Sequence, residues 1–204
     1  MLRSHLLVCL NQRRAILLRM TTWVLLAGLP ATGKSTLAGM LQSRLGGIIL
    51  DKDRVRSALF PGAATDYTRE QDDLCMRAIL DAAHSLTANH RAEYIFLDGR
   101  TFSRKTQLDE VIAAAGLSGA VWRILHLSCS DAVAEARLNR EDPDHPAHNR
   151  DMELYRRVKK NFEPIVYPKL DLDTSDGVEA VVEGAVGYLV GMDVRAQGSE
   201  HRAQ

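Results

Sequence analysis

Nine consecutive residues, Gly28-Leu29-Pro30-Ala31-Thr32-Gly33-Lys34-Ser35-Thr36, satisfy the spacing G-x-x-x-x-G-K-[ST] without a substitution. The two glycines let the main chain curl until successive N–H groups point into one hollow. The helix that follows adds the positive end of its dipole, and polyphosphate oxygens fill the hollow. Lys34 brings an ammonium to the β and γ oxygens, and the Ser35 hydroxyl is placed to sit on Mg²⁺. At average glycine usage a chance match in a chain this long is on the order of one per cent. The chemistry read from residues 28–36 is therefore the binding of a nucleoside triphosphate, ATP with Mg²⁺.

Carboxylates supply the other half of a phosphoryl transfer. Tyr94-Ile95-Phe96-Leu97-Asp98 is an apolar run ended by an acid, the position from which Asp98 joins Ser35 as a metal residue, directly or through water. Leu50-Asp51-Lys52-Asp53-Arg54-Val55-Arg56 ends another run. A carboxylate at Asp53 takes a proton from an attacking hydroxyl, and Arg56, one helical turn on, grips an anionic or polar acceptor. Asp53 also suits the cap of a helix at 54–59, and the two roles are compatible. Arg100, Thr101 and Arg104, just past Asp98, are expected to line the acceptor pocket. Arg137 and Arg140 share a helix face at the start of a polar stretch, 137–150, that reads as a mobile lid over the phosphates. Asp142, Asp144, His145 and His148 in that stretch read as polar loop rather than metal ligands, and His84 and His90 as packing or surface.

Elements that position these groups follow from periodicity. Short apolar runs predict strands near 22–27, 48–50, 94–98, 121–127 and 170–172. Helical stretches fall at about 34–45, 53–59, 68–90, 104–115, 130–140, 151–162 and 177–190. Runs such as Val24-Leu25-Leu26-Ala27 are continuously apolar, as strands buried on both faces are. The expected fold is α/β: a doubly wound, mostly parallel five-stranded sheet of the P-loop nucleoside triphosphate hydrolase/kinase class, with a lid. One domain is expected over 20–192, with an N-terminal extension at 1–19 and a flexible tail at 193–204.

Composition bounds the function. The 204 residues carry 26 basic and 26 acidic side chains, with 46% hydrophobic residues, which excludes a disordered, collagenous or coiled-coil chain. No run approaches the roughly 18 apolar residues of a membrane span. Three cysteines without Cys-x-x-Cys spacing point away from a disulfide framework and toward a reducing cytoplasm. Six of the basic residues and no acid lie in 1–50, so 51–204 holds 20 basic against 26 acidic groups and has no broad basic face for nucleic acid.

Residues 28–36 with Asp53-x-x-Arg56, the strand ending in Asp98, and Arg137-x-x-Arg140 resemble the small-molecule and nucleic-acid 5′-hydroxyl kinases of the P-loop class. That class includes polynucleotide, adenylylsulfate and gluconate kinases and zeta-toxin-like phosphotransferases, and the resemblance spans most of 20–190. It implies Asp53 as general base, Arg56 on the acceptor, Arg137 and Arg140 on the donor phosphates, and the loop at Leu172-Asp173-Thr174-Ser175 beside the adenine ring. Asp98-Gly99-Arg100-Thr101-Phe102-Ser103-Arg104 departs from the Phe-Ile-Ser-Pro segment of adenylylsulfate kinases, which argues against adenylylsulfate as acceptor. A small-molecule hydroxyl is the leading acceptor. A polynucleotide 5′-hydroxyl ranks below it, and a nucleotide-sensing regulator without phosphotransfer is the reading from a different class.

Overall fold

The computed structural model describes residues 20–140, 151–175 and 178–198, with side chains described through residue 191. In chain order the elements are β1 Thr22–Ala27, α1 Lys34–Leu45, β2 Ile48–Asp51, α2 Lys52–Leu59, α3 Arg69–Ala88, β3 Tyr94–Asp98, α4 Lys105–Leu117, β4 Val121–Ser128, α5 Asp131–Leu138, α6 Met152–Lys160, β5 Leu170–Asp173 and α7 Glu179–Gly198. A single 3₁₀ turn, Gly62–Ala64, follows α2.

The strands order as β2-β3-β1-β4-β5, and every pairing is parallel, where the sequence predicted a mostly parallel sheet. All of β1 and β3 is buried, which their uninterrupted apolar runs require of central strands. Odd and even residues of β1 enter different cores. Trp23, Leu25 and Ala27 pack with Met76, Ile79, Val111 and Ile124 beneath α3 and α4. Val24 and Leu26 pack with Leu37, Leu41, Val182 and Leu189 beneath α1 and α7. Each such side chain contributes about 1.5–3 kcal/mol by leaving water. The Trp23 indole N–H donates to Thr87 Oγ1 at 2.9 Å, so the largest core side chain keeps its polar atom satisfied.

From β1 the chain crosses to β2 on one side, and from β3 it crosses to β4 on the other. The crossovers diverge at two hydrogen-bonded neighbours, β1 and β3, so a crevice opens at their carboxyl ends. Residues 28–33 and Asp98 flank it.

Caps fix several boundaries. Thr68, Ser130 and Asp151 accept from Gln71 N, Val133 N and Leu154 N, so α3, α5 and α6 each begin one residue after a capping side chain. At β2 the structure corrects the sequence reading: α2 starts at Lys52, and its cap is Asp51, not Asp53. Asp51 Oδ1 accepts from Asp53 N at 2.8 Å and Arg54 N at 3.3 Å. Helix α7 runs to Gly198, past the predicted 190 and into the stretch read as a tail. The expected extension 1–19, residues 141–150 of the expected lid with Asp142, Asp144, His145 and His148, and the chain end 199–204 lie outside the described residues.

Candidate active site

Between β1 and α1 the loop is bent by three residues in the left-handed region, Gly28 (φ 138°), Ala31 (φ 62°) and Gly33 (φ 85°). Gly28 is required on two counts. Its φ suits only glycine, and a Cβ there would stand 2.2 Å from the Leu127 carbonyl oxygen of β4. Inside the curl Thr32 Oγ1 donates to Leu29 O at 2.8 Å, and Lys34 Nζ donates to Gly28 O at 2.9 Å and Leu29 O at 2.7 Å. The Lys34 ammonium is thus held inside the loop, with the residue only 9% exposed. Ser35 and Thr36 are exposed on the first turn of α1. The loop is moored to its neighbour, since Gly28 N donates to Thr101 O at 3.0 Å just beyond β3.

The acidic strand ends meet side by side. Asp51 of β2 is the register partner of Asp98 of β3. Asp98 is buried, and its Oδ1 has no hydrogen-bond partner. Burial and then the neighbouring Asp98 push the Asp51 carboxyl above the ordinary range. Gly99 makes this approach feasible: with φ 79°, a Cβ there would lie 2.8 Å from both Asp51 Oδ1 and Lys52 N.

On α2 the Asp53 Oδ1 accepts from Arg56 Nη1 at 2.8 Å; the guanidinium that the sequence reading assigned to an acceptor is held here by the chain's own carboxylates. Arg56 is only 3% exposed, and its Nη2 is bound to Asp72 Oδ1 of α3. The guanidinium lies over the Tyr67 ring, 5.1 Å from the centroid. Lys52 Nζ donates to the same Asp72 oxygen at 2.9 Å and stands 3.9 Å from Asp53 Oδ1. Burial pushes the Lys52 ammonium down to about 8. Sequence reading missed Lys52 and Asp72. Lys52 carried a signal, a cation between two carboxylates at a strand end, whereas Asp72 reaches the site through the packing of α2 on α3.

Arg137 reaches the phosphate loop from α5. Its Nη1 donates to Ala31 O at 3.1 Å and Thr174 Oγ1 at 3.0 Å, and its Nη2 donates to Thr174 O at 2.7 Å. Thr174, just past β5, also lies 3.1 Å from Thr32 O, so the loop read as an adenine neighbour braces the phosphate loop. Arg140 is exposed beyond the end of α5. The two arginines after β3 lie elsewhere. Arg100 is buried between helices, its Nη2 3.7 Å from Asp73 Oδ1 on α3 and its Nη1 3.5 Å from Glu110 Oε2 on α4. Arg104 is exposed next to α4, where its N–H donates to Gln107 Oε1 at 3.3 Å. Among the described residues no group of three or more His, Cys, Asp or Glu side chains is placed to hold a metal, and no helix is long and apolar enough to cross a membrane.

The family described as "AAA domain" matches residues 24–165, which covers the phosphate loop, Asp53, Asp98 and Arg137. No curated protein matches the chain. Among solved structures, a protein from Chloroflexus aurantiacus superposes with a TM-score of 0.69 at 18% identity, over 84% of this chain and 98% of that one. The APS kinase of Mycobacterium tuberculosis, solved with AMPPNP and APS, gives 0.63 at 14% identity, over 83% and 98%. A gluconokinase from Sinorhizobium meliloti gives 0.61 at 14% identity, over 91% and 99%. Their sheets and helices are similar to this chain's across nearly their whole length, and the likeness is one of fold.

Proposed function

The chain belongs to the AAA domain family, and from that premise we propose that it is an ATP- and Mg²⁺-dependent phosphotransferase that moves the γ-phosphoryl group of ATP to a hydroxyl of a small molecule. One observation carries the reading: a phosphate loop enclosing Lys34 opens beside a pair of carboxylate strand ends and a carboxylate, Asp53, one step further on. A phosphate loop alone binds nucleotide. The neighbouring carboxylates add what a hydroxyl acceptor needs. The solved structures with this fold include an APS kinase, a gluconokinase and a sugar kinase, and those names support a small-molecule acceptor here.

The residues present fit Mg·ATP. The curl at 28–36 supplies backbone N–H groups and an ammonium of the sign a triphosphate needs, and the buried, unpartnered Asp98 Oδ1 is an oxygen that a hydrated cation satisfies. Ser35 and Asp98 would hold Mg²⁺, which supplies neutralisation of charge on the β and γ oxygens. Lys34 binds those same oxygens. Arg137, hydrogen-bonded to the Ala31 carbonyl, brings a guanidinium to the phosphate loop for the donor phosphates, and Arg140 lies three residues on. With Asp53 Oδ1 engaged by Arg56, Oδ2 takes the acceptor proton as the acceptor oxygen–γ-phosphorus bond forms and the bond from that phosphorus to ADP breaks, ADP leaving. Arg56 orients that carboxylate. The test is a screen of a metabolite pool for ATP-dependent mass gain of one phosphate, with Asp53→Asn as control. Gain in the wild type that collapses in the variant is expected, and equal turnover in the variant rejects Asp53 as the base.

A further inference from the structure

We propose that Asp72 makes this site selective for acceptors that carry no oxyanion, an uncharged or cationic alcohol rather than a sugar acid, a phosphate ester or a sulfate ester. The inference rests on the phosphotransfer reading above and names the substrate class of the same site. Asp72 stands on α3 with its side chain one-third exposed, and its Oδ1 takes two cations at once, Lys52 Nζ at 2.9 Å and Arg56 Nη2. Those cations are deeper than it is, 8% and 3% exposed. What Asp72 leaves of them goes to Asp53, which holds Arg56 Nη1 at 2.8 Å and stands 3.9 Å from Lys52 Nζ. Arg100, buried apart between α3 and α4, sits between Asp73 and Glu110. Arg56 Nε and Arg100 Nε and Nη1 make no hydrogen bond, but all three atoms are sealed from solvent and offer an incoming ligand nothing to reach.

Among the described residues the cations around Asp72 are taken. Asp51 has Arg54 Nε at 3.6 Å, and Asp53 and Asp72 share the buried Lys52 and Arg56. An acceptor bearing a carboxylate, phosphate or sulfate would add negative charge beside Asp53 and Asp72 and would find Lys52 and Arg56 already occupied, whereas a hydroxyl compound without an oxyanion needs neither. Asp72 is the group whose removal changes this. Asp72→Asn keeps the shape of the side chain, deletes one negative charge and leaves Lys52 and Arg56 with Asp53 as the carboxylate between them.

Two measurements decide the matter. In the metabolite screen, the compound with the highest kcat/KM is read for charge, and its analogue with an added or removed carboxylate is then assayed with wild type and Asp72→Asn. The expected result is an uncharged or cationic best substrate, a wild-type preference of at least tenfold against the oxyanion analogue, and a shift of at least tenfold toward that analogue in Asp72→Asn, carried by KM. Asp72→Glu restores the wild-type preference. A best substrate bearing an oxyanion overturns the proposal while leaving phosphotransfer intact, and a folded Asp72→Asn with unchanged preference overturns the role of Asp72. Failure of every compound to gain phosphate while Mg·ATP binds removes the phosphotransfer reading and this inference with it. In the second measurement the protein is saturated with Mg·AMPPNP, so that the phosphate loop is filled, and titrated with inorganic sulfate. Binding at least tenfold tighter to Asp72→Asn than to wild type is expected, and equal binding counts against the proposal. Should Asp72→Asn fail to fold by circular dichroism, the charge of the wild-type substrate still decides.

Discussion

In the proposed reaction Asp53 serves the acceptor and Lys34 the donor, so their variants should separate in kinetics. Asp53→Asn keeps the shape of the carboxylate and its contact with Arg56 but cannot take a proton. Turnover is expected to fall roughly 10²-fold or more while the KM for ATP stays within a factor of about two, measured by steady-state kinetics at saturating acceptor. A second expectation concerns pH. Burial brings the Lys52 ammonium down to about 8 from its ordinary 10.5, so Lys52 is charged below that pH and neutral above it. Above about 8 Asp72 and Asp53 lose one of their two cations, Asp53 is positioned less firmly, and kcat/KM should decline with rising pH. In Lys52→Arg, whose guanidinium keeps its charge throughout the alkaline range, that limb should vanish. A limb that is the same in both proteins rules Lys52 out as its origin. The residue scale also marks where sequence stops being legible. Asp53 and Arg56 are one turn apart and announce each other by spacing. Asp72 lies in an otherwise ordinary polar helix, and only the packing of α2 against α3 brings it onto Lys52 and Arg56.

At the scale of elements, the site is a set of strand ends held in register by glycine. Gly99 is the hinge of that arrangement, because a methyl group there meets Asp51 Oδ1 and Lys52 N, each at 2.8 Å, in a backbone region that side chains disfavour. Gly99→Ala should cost about 1–3 kcal/mol, a fall in Tm of about 2–4 °C for each kcal/mol in a domain of this size, and lower kcat by displacing Asp51 and α2. An unchanged Tm by calorimetry would show that β2 and α2 yield without strain. Strand and helix identities were legible for physical reasons. Continuous apolar runs can be satisfied only in the middle of a parallel sheet, and a capping residue stands before most helices. The α2 boundary was not legible, because Asp51 and Asp53 are both good caps. The choice falls to Asp51, whose side chain points back over the first turn of α2 from the end of β2. The brace of Arg137 on Thr174 was hidden for a related reason, since residues 37 positions apart meet only when β4 and β5 pair.

For the whole molecule, the order β2-β3-β1-β4-β5 gathers groups from across the chain to one edge: the phosphate loop after β1, Asp51 at the end of β2, Asp98 at the end of β3, and Arg137 and Thr174 from the side of β4 and β5. Alternation of strands and helices made the fold class legible. The proposed acceptor preference was not, because it rests on which charges meet across α2 and α3. Everything at that edge presupposes a triphosphate held in the curl at 28–36, so isothermal titration with Mg·AMPPNP tests the account most directly. Wild type should bind one equivalent with a clear heat of association, and Lys34→Ala should bind at least tenfold more weakly with its fold intact by circular dichroism. Well-folded wild-type protein that gives no heat and no binding, or a Lys34→Ala variant that binds as tightly as wild type, would contradict it.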